Sequence, residues 1–189
     1  MYLFFDTETT GLPRNWKSPI TDLDNWPRLV QLAFLYFDTN GNKISGGDFL
    51  IRPDGFTIPK QASRIHGIST EQAKRDGFPI TTVLQEFNSL VEKADYLVAH
   101  NISFDEKIMG SELLRNGMKD SVASKSKICT MKSTTSFCRL SGPYGYKWPK
   151  LSELHYELFR TGFEEAHNAS VDITVTAKCF WELRRIGRI

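Results

Sequence analysis

Leu29-Val-Gln-Leu-Ala-Phe-Leu-Tyr-Phe-Asp38 is a strongly apolar run, and Asn40-Gly41 follows it after one residue. An apolar run of this length bounded by turn residues reads as a buried strand. Asn-Gly is a hairpin signal because both residues tolerate positive φ. Lys43 to Ile51 is then the returning strand. Upstream, Tyr2 to Phe5 is a second short apolar run, read as a buried strand that ends at Asp6. Thr9-Thr-Gly-Leu-Pro13 is turn chemistry. Arg14 to Pro27 is polar, bears prolines and carries Trp16 and Trp26, so it reads as a long loop. The three strands together predict an antiparallel meander.

Beyond the meander the pattern changes. Ile80, Val83, Leu84, Phe87, Leu90 and Val91 recur at helical spacing. Tyr96 to Ala99 reads as a strand. Ser103 to Asn116 reads as a helix, with Asn101 or Ser103 as its cap and Gly117 closing it. Ile128 opens a short segment that leads to a helix near Met131 to Arg139, and Ser141 to Tyr146 reads as a loop. Leu151 to Phe159 is a short helix. The last helix runs from Asn168, its cap, to Arg185, with Ala169, Ile173, Thr176, Phe180 and Leu183 on one stripe. This order predicts an α/β fold, a mixed sheet flanked by helices, in one domain over residues 1–189.

At 189 residues and 40% hydrophobic content the chain can bury a core without disulfide or metal staples. Cys129, Cys138 and Cys179 are odd in number and lack zinc-ligand spacing, which predicts three reduced thiols. Met1 to Phe5 runs into Asp6 without a basic leader, and no apolar run approaches the ~20 residues of a membrane span. The expectation is a soluble cytoplasmic protein. Net charge is only +2, yet Leu113 to Lys150 holds eight basic residues and one acidic residue. That distribution suits a phosphate-tracking side next to an acidic centre.

Three short segments carry chemistry. In Phe4-Phe-Asp-Thr-Glu-Thr-Thr-Gly11, Asp6 and Glu8 lie two apart, which on a strand places both side chains on one face. Two carboxylates forced together repel, and a hard divalent cation removes that cost. In His100-Asn-Ile-Ser-Phe-Asp105, the acid falls in the first turn of a helix, where the dipole favours it. In His167-Asn-Ala-Ser-Val-Asp172, the histidine precedes the last helix and Asp172 lies just inside it, near the apolar stripe. An acid in such a place needs a partner. A histidine's unperturbed pKa of about 6.5 suits a proton acceptor near neutral pH.

Together the three segments resemble the three motifs of the DEDDh 3′→5′ exonuclease family, which includes the proofreading subunit of bacterial replicative DNA polymerase. The likeness runs from Phe4 to about Leu183 and includes the five-residue step from His167 to Asp172. Ile65-His-Gly-Ile68 and Lys150-Leu-Ser-Glu-Leu154 also resemble family segments. The resemblance implies a ribonuclease-H-like, five-stranded mixed sheet. It implies that Asp6, Glu8, Asp105 and Asp172 hold two divalent cations, Mg²⁺ or Mn²⁺, and that His167 is the general base. It also implies a terminal-nucleotide pocket built from Thr9, Thr10, Leu12, His66, Asn101 and Phe104. The implied partner is nucleic acid, single-stranded or at a 3′ end, and the product is a nucleoside 5′-monophosphate. An oligoribonuclease-type or ribonuclease-T-like RNA exonuclease and a non-catalytic nucleic-acid-binding module are the alternatives. Neither a homodimer nor a polymerase partner is supported by the sequence.

Two stretches depart from the family pattern. The Pro13 to Pro27 loop is longer and more aromatic than the usual short turn; Trp16 and Trp26 there either hold a strand or a partner or pin the loop, and the expectation is that they pin it. Cys129 to Trp148 is also unlike familiar members. His155, in the short helix, is assigned no role.

Overall fold

The computed structural model describes residues 1–163 and 167–189. Five strands form the main sheet: β1 (Tyr2–Thr9), β2 (Leu29–Phe37), β3 (Lys43–Leu50), β4 (Tyr96–Ala99) and β5 (Ser126–Cys129). Their spatial order is β3-β2-β1-β4-β5. The first three pair antiparallel, whereas β4 and β5 run parallel to β1. The sheet is therefore mixed, as expected.

β1 is apolar without alternation because both of its faces are covered. Leu3 and Phe5 face α3 (Ile80–Lys93) and α4 (Ile102–Arg115) in one core cluster, with Val83, Leu84, Phe87, Ile108 and Met109. Tyr2 and Phe4 face α8 (Ala169–Arg185) in another, with Ala169, Ile173, Ala177 and Phe180. The period of two thus sends even-numbered β1 side chains towards α8 and odd-numbered ones towards α3 and α4.

β1 does not end at Asp6. It continues to Thr9 because β2 keeps pairing with it, Asp6 opposite Ala33 and Glu8 opposite Gln31, before a bulge between Glu8 and Thr9. Two seven-residue helices that sequence patterning did not predict, α1 (Lys60–His66) and α2 (Thr70–Asp76), follow β3. Each is too short to show two full periods of an apolar stripe. The helix expected near Met131 is two four-residue turns, α5 (Thr130–Ser133) and α6 (Thr135–Cys138), split at Thr134. Ser141 to Tyr146 is a small hairpin of β6 (Ser141–Gly142) and β7 (Gly145–Tyr146), not an open loop. α7 (Leu151–Phe159) packs between this region and α8.

The ends of α4 settle how it is held. Its N-cap Asn101 is left-handed at φ 71 and its side chain makes no capping bond. Asn101 Oδ1 instead accepts the Ser103 hydroxyl at 3.1 Å, so neither expected side chain caps the helix. At the other end Gly117 is at φ +67, Gly117 N–H bonds Leu114 O and Met118 N–H bonds Leu113 O. That is the Schellman closure for which glycine is favoured. Among the described residues no helix is long and apolar enough to cross a membrane. Cys129, Cys138 and Cys179 are free and buried.

Candidate active site

The alternation of β1 builds the site. Asp6 and Glu8 are even-numbered and point towards α8, whose first turn carries Asp172. One carboxylate oxygen from each of these three lies within 4.8 Å of the others. Thr7 points the other way, and its hydroxyl donates to Asp105 Oδ1 at 2.7 Å. Asp105 enters from the first turn of α4 and is 3% exposed.

The start of α8 is fixed by its own orphan amides. The Asn168 side chain accepts from Ser170 N–H and Val171 N–H, at 3.0 and 3.4 Å. Ala169 N–H reaches across to Gln31 Oε1 at 3.3 Å. Gln31 sits opposite Glu8 in the β1–β2 register, so one residue ties the helix to the strand that carries the acids. Gln31 was missed in the sequence, where its only trace is a polar interruption of an apolar run.

The electrostatics show what the cluster lacks. Burial, then the charges of Asp105, Asp172 and Glu8, hold the Asp6 carboxyl well above its usual range. Burial and the Asp172 and Asp105 charges push Glu8 up to about 8. Burial raises Asp105 to about 7, against the lowering effect of the Thr7 hydrogen bond. Crowded, desolvated carboxylates of this kind disfavour their own ionisation. An all-oxygen donor set at such spacing suits Mg²⁺ or Mn²⁺, so the residues fit the expected ions.

His167 is exposed, at φ 38, immediately before the Asn168 cap. It shares a pocket of about 260 Å³ with Asp172, Lys150, Leu151 and Phe163. The histidine thus stands at the rim of the acidic centre and not within it.

The six expected nucleotide-pocket residues divide into groups. Buried Thr9 donates its hydroxyl to Gly11 O at 2.7 Å. His66 is buried at the end of α1, accepts Ile68 N–H through Nδ1 at 3.1 Å and leaves Nε2 without a partner. Burial lowers its pKa, and the Thr9 backbone partly offsets that, which places the ring beside Thr9. Thr10 and Leu12 line a different cleft of about 540 Å³ with Arg14, Arg28 and Arg115. Asn101 lines a third cleft, and Phe104 packs against the core with the Trp16 ring 5.7 Å away. The pair Trp16 and Trp26 splits: Trp26 is buried and donates to Pro19 O at 3.0 Å, whereas Trp16 is exposed.

Further residues that sequence reading passed over hold the surroundings. Glu112 is fully buried, and its Oε1 accepts from Arg28 Nε, Leu29 N–H and Arg115 at 2.8, 3.0 and 2.9 Å. Arg115 also donates to the carbonyls of Leu23 and Trp26, so this hub clamps the loop that follows β1. His155, given no role earlier, is buried with Nδ1 2.9 Å from Thr161 O. The basic segment is only partly on display: Arg115, Lys125, Lys127 and Lys147 are bound to acids or backbone carbonyls.

The RNase_T family model, described as exonuclease, matches residues 3–180. The chain is 29% identical over 182 residues to the 3'-5' exonuclease DinG of Bacillus subtilis, covering 96% of this chain and 17% of that protein. It is 31% identical over 178 residues to a PolC-type DNA polymerase III of Streptococcus mutans, covering 94% of this chain and 11% of the polymerase. The chain therefore spans less than a fifth of these relatives. Among solved structures, the zinc-bound Escherichia coli ExoI–ssDNA complex superposes with a TM-score of 0.74 at 22% identity, over 98% of this chain and 40% of that one. That likeness shows the shared ribonuclease-H-like fold.

Proposed function

Because this chain belongs to the RNase_T exonuclease family, we propose that it removes nucleotides one at a time from the 3′ end of single-stranded nucleic acid. The observation that carries the reading is the meeting of three carboxylate oxygens within 4.8 Å, from residues as far apart in sequence as Asp6 and Asp172. Asp6, Glu8, Asp105 and Asp172 would hold the divalent cations. When bound, such ions neutralise the acids and the scissile phosphate and stabilise attacking and leaving oxygens. His167 takes the proton from the attacking water, and Lys150 in the same pocket adds positive charge near the phosphate. Thr9 and His66 border the terminal nucleotide, with the buried His66 ring set beside the Thr9 backbone. The product is a nucleoside 5′-monophosphate. DNA is the favoured substrate, because the solved neighbour is bound to ssDNA and the relatives include DNA polymerases.

The test is digestion of 3′- and 5′-labelled DNA and RNA, single- and double-stranded, with Mg²⁺ or with EDTA. Stepwise shortening from the 3′ end that EDTA stops is expected. Cleavage that persists in EDTA removes the scheme, and activity confined to RNA of about five nucleotides or fewer assigns an oligoribonuclease instead.

A further inference from the structure

The two stretches that depart from the family pattern come together in space. Trp16, from the loop after β1, and Trp148, from the segment before α7, line one cleft of about 420 Å³ with Asn101, Ser103, Lys107 and Met131. Both tryptophans are exposed, at 52% and 60%. Large apolar rings held in water around a cleft mark a binding site more often than a packing accident.

The cleft is built, not incidental. His100 Nε2 lies 3.0 Å from Pro149 O and its Nδ1 3.0 Å from Thr130 Oγ1. The ring donates to the carbonyl and accepts from the hydroxyl, so it ties the residues beside Trp148 and Met131 to the start of α4. Burial keeps this histidine neutral, as that pattern requires. On the opposite wall, Asn25 brackets Asn15 through its backbone N–H and O, at 2.7 and 3.0 Å, and Trp16 rests on Phe104. Lys107, two residues after Asp105 on the same helix, also lines the cleft, with its ammonium turned to Ser18 O at 3.5 Å and to the Trp26 ring at 5.1 Å.

We propose that this cleft holds one unstacked base of the strand upstream of the 3′-terminal nucleotide, gripped by Trp16 and Trp148. Aromatic walls receive any base because every base has a π face. The position follows from α4, which carries Asp105 in its first turn and borders the cleft through its cap Asn101 and through Ser103. Seating an internal base makes the enzyme favour strands of several nucleotides and resist duplex ends, whose bases stay stacked.

The inference rests on the nuclease reading, and the two fail differently. The experiment measures KM on single-stranded DNA 12-mers, intact or with one abasic residue at the second, third or fourth position from the 3′ end. Trp148→Ala and Trp16→Ala each raise KM on the intact strand about tenfold or more. One abasic position raises the wild-type KM by a similar factor, and that loss does not add to the loss in the variants. Trp148→Phe recovers most of the affinity. Unchanged KM in both alanine variants, or losses that multiply fully at every position, overturns the cleft. A protein that cleaves no strand overturns the nuclease reading with it.

Discussion

Thr7 Oγ1 donates to Asp105 Oδ1 at 2.7 Å across 98 positions of sequence. The bond joins the middle of β1 to the first turn of α4 through the face of the strand that carries no acid. Thr7→Val keeps the shape and strand propensity but removes the donor. A hydrogen bond to a charged group contributes about 1.5–3 kcal/mol. The variant is expected to lower kcat more than it changes KM, and to push the Asp105 carboxyl higher still. Steady-state kinetics against pH checks this, and an unaltered kcat would leave the bond a purely structural one.

His167→Ala is expected to slow hydrolysis by about 10²–10⁴-fold at saturating substrate, the range for a lost general base. The side chain is exposed, so the fold should be unaffected. Single-turnover rates and circular dichroism report the two separately. A change within twofold would place the base elsewhere.

The raised carboxylates give a sign to the pH dependence of the cation-free protein. Glu8 at about 8 and Asp105 at about 7 bind protons more tightly folded than unfolded. Their contribution to stability is therefore present near pH 4 and is lost as pH rises to about 8. Mg²⁺ or Mn²⁺ replaces the protons, so the gain in Tm on adding cation should be larger at pH 8 than at pH 5.5. Asp6→Asn should raise the cation-free Tm at pH 8 while abolishing cleavage. Thermal melts with EDTA and with cation measure both, and a gain independent of pH would argue against carboxylate ligation.

Of the fold, the strands with continuous apolar runs and the long helices α3, α4 and α8 were legible, because each shows its period several times over. α1 and α2 were not, since seven residues hold barely two turns and their burial depends on partners distant in sequence. The meeting of Asp6, Glu8 and Asp172 was legible from spacing and motif order. Thr7 and Gln31 were not, because each acts through a partner that only tertiary folding supplies: Asp105 in one case and the α8 amide in the other. The Trp16 and Trp26 pair looked like one feature in sequence and proved to be two, a buried anchor and an exposed wall.

His100 supplies a second pH signature, of opposite sense. Burial depresses its pKa to about 4. A group depressed on folding contributes stability above its unfolded pKa, near 6.5, and loses it as pH falls towards 4. Urea midpoints should fall between pH 6.5 and 4.5 in the parent protein and fall less steeply in His100→Gln. Parallel slopes in the two proteins would refute the assignment.

Glu112→Ala strips the loop clamp of its acceptor and leaves Arg28, Arg115 and the Leu29 amide facing one another. Breaking a buried pair of this kind costs about 3–5 kcal/mol. Urea unfolding should show that loss. A change below about 1 kcal/mol would mean that water enters and takes over the bonds.

Strand β1 works as a partition whose two sides have different duties. A slip of one residue against β2 would send Thr7 to the α8 side and turn both acids into the α4 core, while leaving much of the sheet hydrogen-bonded. Correct registry and competence for chemistry are thus a single decision made during folding. The specific activity of a preparation would consequently count its correctly threaded molecules, even where spectroscopy finds all of them folded.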